Sequence, residues 1–172
     1  MGHREHEEIA KEKFRSVKVS VITISDTRTE SEDVSGRIII EMLQRSGHRI
    51  FRYIICKDEV HEIRRAVLEV LRGSDVIITN GGTGISSRDV TLEAIKPLFD
   101  KEIEGFGELF RALSYEEIGP SAMLSRAIAG VIDSKLVFCL PGSQNAVRLA
   151  MEKLVLPIIP HALYEVRKHE TI

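Results

Sequence analysis

The chain has 172 residues, with 24 Lys and Arg against 26 Asp and Glu and a formal net charge of -2. That length suits a single domain with a sizeable core, and the balanced charge gives no global electrostatic case for nucleic acid. Apolar residues make up 43%, no apolar run approaches membrane-spanning length, and the charged first residues lack the apolar core of a signal peptide, so a cytoplasmic protein without membrane contact is expected.

Residues 1–16 read as a charged arm, at most partly helical, ahead of one domain at 17–172. Residues 17–25 (V-K-V-S-V-I-T-I-S) are β-branched and mostly apolar and predict the first strand, ending at Ser25 and Asp26. Residues 27–33 are polar and acidic and predict an exposed loop. Asp33 or Ser35 can cap a helix to about Ser46, with Ile38, Ile39, Met42 and Leu43 at helical spacing. A second strand follows at 48–56. Residues 60–72 form the clearest amphipathic helix, striped by Val60, Ile63, Val67, Val70 and Leu71.

Val76, Ile77 and Ile78 then form an unbroken β-branched run, suited to a strand buried on both faces of a parallel sheet. It delivers Gly81, Gly82, Thr83 and Gly84, a turn whose backbone N–H groups can meet phosphate oxygens. Ser87, Arg88 and Asp89 follow, and Thr91 or Asp89 can cap a helix beginning near Leu92. The loop has neither the Walker spacing nor the G-x-G-x-x-G of a dinucleotide fingerprint. An ordinary tight turn is the bland alternative, and the neighbouring cation and carboxylate tilt the balance to an anion site.

Beyond a break at 97–100 lie an acidic, glycine-punctuated stretch at 102–107, a helix at 108–114 and a small-residue helix at 121–129. Strands at 130–132 and 136–140 are joined at Asp133 and Ser134. Leu140-Pro141-Gly142-Ser143 repeats the logic of a strand running into a glycine turn, with Ser143 capping a helix over 144–155. Pro157 and Pro160 punctuate a final helix, from Ile158 or His161 to Lys168. The alternation of strands and helices predicts an α/β fold, a three-layer doubly wound, mostly parallel sheet with helices on both faces. In such a sheet ligands lie at the C-terminal strand ends.

That edge gathers Ser25, Asp26, Asp58, the glycine loop, Pro141, Gly142 and Ser143, and receives Glu102 and Glu104. Glycine turns with carboxylates suit a phosphorylated ligand and a divalent metal. Mg²⁺ is favoured, because oxygen ligands dominate. Taken singly, Asp58 and Asp33 are at least as well explained by capping. Cys56 and Cys139 have no C-x-x-C partner and are expected as free, buried thiols. No nucleophile elbow or Ser/His/Asp set is visible.

At this point the chain resembles the molybdenum cofactor biosynthesis family MoaB/MogA, shared with the G domain of gephyrin. The motifs are I-T-I-S-D at 22–26, D-V-S-G at 33–36, T-N-G-G-T-G-I-S-S-R-D-V-T at 79–91, E-I-E-G-F-G-E-L-F-R at 102–111, A-M-L-S-R-A at 122–127 and L-P-G-S at 140–143. The resemblance implies an adenylyltransferase that uses Mg²⁺ and ATP to transfer AMP to the terminal phosphate of molybdopterin, readying the pterin for molybdenum or tungsten. It assigns catalysis and metal binding to Asp58 and Asp89. Here Lys57 precedes Asp58, where the family usually has Pro. Ser25, Asp26, Gly81, Gly82, Thr83, Gly84, Ser87, Arg88, Glu102, Pro141, Gly142 and Ser143 are the further binding candidates. The resemblance also implies a homotrimer or hexamer, with the downstream metal-insertion enzyme as a further partner. Phe106, Leu109, Phe110 and Leu113 are the expected apolar contact surface. A non-catalytic pterin-binding or scaffolding subunit is the competing reading, with the same pocket and no ATP turnover.

Overall fold

The computed structural model describes residues 2–170; Met1 of the expected arm and the last two residues of the domain lie outside them. Six strands form one sheet in the order β2-β1-β3-β6-β5-β4: β1 (Lys18–Ile24), β2 (Arg49–Cys56), β3 (Val76–Asn80), β4 (Lys101–Glu102), β5 (Ile128–Ile132) and β6 (Lys135–Leu140). The pairs β2-β1, β1-β3 and β3-β6 are parallel, and β5 and β4 add an antiparallel edge. The mostly parallel, doubly wound α/β sheet is thus as the strand pattern predicts.

Alternation along the strands divides the core into two layers. Val19, Val21, Val76, Ile78, Leu136 and Phe138 face α2 (Val34–Arg45), α5 (Glu104–Ile118), α6 (Gln144–Ala150) and α7 (Leu156–Arg167). Ile22, Ile24, Ile77, Val137 and Cys139 face α3 (Val60–Leu71) and the short α4 (Thr91–Ile95). Every residue of β3 is buried, which places the glycine loop after it at the middle of the sheet. No helix among the described residues is long and apolar enough to cross a membrane.

Several elements differ from the sequence expectation, each for a packing reason. The arm is a docked helix, α1 (His3–Lys13), lying against α7. Ala10 and Phe14 are buried, and the His6 ring meets Tyr164 edge-on at 5.7 Å. The stretch 121–129 is not a helix. A 3₁₀ segment, Gly119–Leu124, gives way to extended chain and then β5. The last residues of the stretch are strand, Ile128 and Ala129 pairing with Cys139 and Phe138, and the next residue is a glycine, Gly130, whose Cβ would stand 2.5 Å from the Phe99 ring. The helix expected at 108–114 runs from Glu104 to Ile118, and Phe106 and Phe110 belong to the core, Phe106 meeting Phe138 at 5.4 Å. The exposed apolar side chains on this side are Leu109, Tyr115, Ile118, Met123 and Leu124. A π turn, Met151–Val155, lets the last helix continue through Pro157 and Pro160; such turns absorb the amide hydrogen bond that proline cannot make. The hairpin turn is where the sequence puts it, with Asp133 and Ser134 both at positive φ, as a two-residue loop of that hand requires.

Candidate functional site

The glycine loop is shaped first by packing. Gly81 has φ +101°, and a Cβ there would stand 2.3 Å from the Ile24 carbonyl oxygen of β1. Gly82 has φ +69°, and its Cβ would meet Thr91 Oγ1 at 2.2 Å. Only glycine fits a left-handed backbone pressed this close to its neighbours. The loop's carbonyls are all engaged. Gly81 O accepts from Thr91 Oγ1 at 2.8 Å, Gly82 O from the Thr91 amide at 3.1 Å, Thr83 O from the Arg126 amide at 2.9 Å and Gly84 O from Arg126 Nε at 2.8 Å. Its amides are not. The Gly81 N–H donates to Leu140 O at 3.0 Å, but those of Gly82, Thr83 and Gly84 meet no acceptor among the described residues. Successive free amides in a left-handed turn make an anion-binding concavity.

Asp58 and Asp89 flank this loop. The positions a Cβ would occupy on Gly82 and Gly84 lie 3.3 Å from Asp58 Oδ1 and 2.6 Å from Asp89 Oδ2. Both carboxylates line one cavity of about 410 Å³ together with Ser25, Arg28, Gly81 to Gly84, Ser125, Pro141 and Gly142. Burial pushes the Asp58 carboxyl above its usual range, with repulsion from Asp26 adding to it. Asp89 Oδ2 accepts from the Ser86 amide at 3.0 Å, which fixes the far end of the loop. Arg126 tightens the same segment, donating to the Asp89 carbonyl at 3.0 Å and to Glu93 at 2.6 Å.

Asp26 and Arg88 act as a clamp. Arg88 donates to both Asp26 oxygens from Nε and Nη2 at 2.8–3.0 Å, and Asp26 Oδ1 also accepts from the Asp58 amide at 3.1 Å. The Arg88 hydrogen bonds hold Asp26 below the usual carboxylate range. Arg88 therefore ties the glycine loop to the loops after β1 and β2 and does not line the cavity. Ser87 is exposed and also off it. Ser143 accepts from the Ala146 amide at 3.3 Å as the N-cap of α6 and is not among the lining residues. Glu102 lies on β4, three strands from β3 and so roughly 14 Å away across the sheet, where Lys96 sits 3.9 Å from it. The sheet does not bring Glu102 to the pocket.

Neither Thr91 nor Asp89 caps α4. Its N-cap is Val90, without a side-chain cap, and the helix is only five residues long. The anion-favouring element here is thus the row of loop amides, not a helix N-terminus.

Sequence reasoning missed a buried polar hub behind the site. Residues 27–33 look like exposed loop, yet Asp33 is 1% exposed. Asp33 caps α2 through the Gly36 amide at 3.1 Å, accepts from Thr23 Oγ1 at 2.6 Å and from the Tyr53 hydroxyl, and faces Arg28 at 3.5 Å. Asn80, the last residue of β3, bridges Thr23 and Ser35. Gly36 is demanded by this hub, because a Cβ there would strike Asp33 Oδ2 at 2.0 Å. The D-V-S-G spacing was the available signal: a cap followed three residues later by glycine. Ser125 was also missed; its Oγ is buried at the cavity wall with no hydrogen-bond partner among the described residues.

The donor set fits a nucleotide-borne Mg²⁺ better than a resident metal. Among the described residues no three His, Cys, Asp or Glu side chains gather to hold an ion. Mg²⁺ is typically bound by one or two carboxylates, with substrate phosphates and water completing its shell. Asp58 and Asp89 beside free loop amides match that requirement. Cys56 and Cys139 are free, and burial pushes both thiols up to about 12, which leaves no reactive thiolate at the site.

Comparison with known proteins agrees with this architecture. Residues 20–161 match the family described as "Probable molybdopterin binding domain". The chain is 54% identical over 157 residues to a Bacillus cereus protein named Molybdenum cofactor biosynthesis protein B, covering 90% of this chain and 93% of that one. It is 50% identical over 171 residues to the Bacillus subtilis protein of the same name, covering 98% and 99%. A crystal structure of a Molybdenum cofactor biosynthesis protein B superposes with a TM-score of 0.87 at 54% identity, over 90% of this chain and 98% of that one. The tungsten cofactor synthesizing protein MoaB from Pyrococcus furiosus superposes at 0.82 with 44% identity, over 89% and 98%. A glycine loop with free amides, two flanking carboxylates and this sheet order thus accompany a match over most of the chain, and the chain belongs to the MoaB/MogA family of molybdopterin-binding domains.

Proposed function

We propose that this protein acts in molybdenum cofactor biosynthesis by Mg-ATP-dependent adenylylation of molybdopterin. The observation that carries the reading is the row of free amides at Gly82, Thr83 and Gly84 between two carboxylates that line the same cavity. In the reaction an oxygen of the pterin's terminal phosphate forms a bond to the α-phosphorus of ATP. The bond from that phosphorus to the β-bridging oxygen breaks, and pyrophosphate leaves with the electron pair. The phosphate nucleophile needs no base, so the protein's work is positioning and charge stabilisation. The loop amides bind phosphate oxygens, and Asp58 and Asp89 would hold Mg²⁺. When bound, the ion neutralises charge building on the phosphates. The Arg88–Asp26 clamp and Arg126 keep the loop and both carboxylates in register. The direct test is incubation of purified protein with molybdopterin, ATP and Mg²⁺. Adenylated pterin and pyrophosphate are expected; ATP binding without turnover would favour the scaffolding reading.

Asp58 offers a test in which stability and activity move in opposite directions. Its carboxyl is raised, by burial first and by Asp26 next. A raised carboxyl contributes stability while protonated and loses it as pH climbs through the folded-state pKa. At pH 7 the charged group therefore opposes folding, so Asp58→Asn should raise Tm by about 1–3 °C and lower transfer sharply. The Tm gain should fade as pH falls below the unfolded-state value of about 3.9, where the group is protonated folded and unfolded alike. A lower Tm at pH 7 with activity intact would reverse both assignments.

The exposed apolar side chains of α5 and the following 3₁₀ segment, Leu109, Ile118, Met123 and Leu124, range from 51% to 75% exposed. Exposed apolar side chains of this size are often covered by a partner, and identical chains usually close in rotational symmetry. Light scattering at micromolar concentration should give a trimer or hexamer. A clean monomer would count against this.

A further inference from the structure

Two cavities meet beside the glycine loop. The first is the cavity already described. The second, about 540 Å³, runs between the end of β2 and α3, lined by Asp26, Ile54, Cys56, Glu62, Arg65 and their neighbours. Ser25 and Arg28 line both. We infer that Arg28 is the phosphate-binding cation of this site, placed where the two cavities join. The inference rests on the adenylylation reading and deepens it by naming the residue that meets substrate charge.

Arg88 and Arg126, the cations next to Arg28 around the glycine loop, have different duties. Arg88 is 60% exposed, forks onto Asp26 and lines neither cavity. Arg126 donates from Nε, Nη1 and Nη2 to Gly84 O, Glu93 and Asp89 O. Of the residues lining the glycine-loop cavity, Arg28 alone carries positive charge, opposite Asp58 and Asp89.

Arg28 is also held ready. A guanidinium has five N–H donors in a rigid fork. Nη1 donates to Ser35 Oγ at 2.7 Å and faces Asp33 Oδ1 at 3.5 Å, and Nη2 reaches Gly142 O only at 3.4 Å. Nε–H has no acceptor among the described residues. One edge of the fork is thus anchored on the buried hub while donors remain for a ligand. A planar fork suits phosphate oxygens, and anchoring lowers the entropy lost on binding. Without a cation here, the two carboxylates would repel an incoming phosphate.

The phosphate could belong to the nucleotide or to the pterin, and separate titrations distinguish them. Calorimetry would measure Mg-ATP and molybdopterin binding to wild type, Arg28→Gln, Arg28→Lys and Arg88→Gln. Arg28→Gln should weaken one or both ligands about tenfold or more, and its binding should respond less steeply to salt, because one charge is gone. Loss for Mg-ATP alone assigns the nucleotide phosphate, loss for molybdopterin alone the pterin phosphate, and loss for both the junction itself. Arg88→Gln loosens the clamp but removes no cation from the cavity lining, so it should weaken binding less than Arg28→Gln does. Arg28→Lys keeps the charge without the fork, so an intermediate affinity is expected, and it serves if the Gln variant does not fold. Arg28→Gln or, in that event, Arg28→Lys binding both ligands like a wild type that binds them would overturn the assignment while leaving the adenylylation reading in place. A wild type that binds neither ligand would overturn that reading and this inference with it.

Discussion

Asp89→Asn is expected to lower adenylyl transfer by about 10²–10³-fold while the protein folds and assembles as wild type. The magnitude is that of removing one preorganised electrostatic group from a phosphoryl-type transfer. Asn is the cleaner substitution because of what Asp89 does locally. Its Oδ2 accepts from the Ser86 amide at 3.0 Å, and an amide oxygen can still accept that bond. Its backbone carbonyl is held by Arg126 whatever the side chain. What the substitution removes is the charge beside the free amides of the loop. Asp89→Ala would also release the Ser86 amide, adding about 1 kcal/mol of loop destabilisation, so its loss of activity would mix two causes. If Asp89 ligates Mg²⁺, the Asn variant should need more Mg²⁺ to reach half its maximal rate, with KM for molybdopterin little changed. Turnover equal to wild type in a folded Asp89→Asn protein would sink the assignment.

The parts of this fold that were legible are those decided locally. β-branched runs at 18–24 and 76–80, an apolar stripe at 60–71 and turn residues at Asp133 and Ser134 carry their own conformational preference, and each lies where the pattern puts it. The misread parts were decided by neighbours distant in sequence. The run S-A-M-L-S-R-A-I-A resembles a small-residue helix. Yet its last two residues pair with β6, and the position after it needs glycine because Phe99 lies over it. Phe106 and Phe110 look like surplus apolar surface until Phe138 is brought beneath them. The same division holds for the site. The glycine loop and its flanking aspartates are contiguous or motif-borne, and the sheet brings Asp58, Gly81 to Gly84, Asp89, Pro141 and Gly142 to one cavity. Arg28 stood in a stretch that reads as exposed loop, and nothing local distinguishes it from Arg88, which has the more suggestive address. Only the sheet order shows that Arg88 is bound to Asp26 and that Glu102 stands at the far edge.

Asp33→Ala should be the most destabilising single change at this end of the molecule, costing about 3–5 kcal/mol and lowering Tm by on the order of 10 °C. Three losses combine. The cap of α2 goes, worth about 1 kcal/mol. Thr23 and the half-buried Tyr53 lose the acceptor they share, and a buried hydroxyl donor left unsatisfied, as on Thr23, costs about 1–3 kcal/mol. Arg28 loses the carboxylate that faces it at 3.5 Å, with the Asp33 side chain fully buried. Asp33→Asn should cost less, because a hydroxyl can rotate to accept from an amide as readily as it donates to a carboxylate. The dependence on pH follows from the charge. Burial pushes the Asp33 carboxyl up, but the hydrogen bonds from Thr23, Tyr53 and the Gly36 amide, with the Arg28 charge, outweigh it and hold the group below its usual value of 3.8. A lowered carboxyl contributes stability that is fully present above the unfolded-state pKa and is lost as pH falls through the folded-state one. The gap between wild type and Asp33→Ala, measured by urea unfolding, should therefore be widest near neutral pH and narrow below about pH 4. Because the hub also anchors Arg28, Asp33→Ala should weaken phosphate binding in protein that remains folded at low temperature, whereas Tyr53→Phe, which leaves the carboxylate in place, should cost stability alone. Equal unfolding midpoints for wild type and Asp33→Ala at pH 7 would show that the hub contributes nothing to the fold.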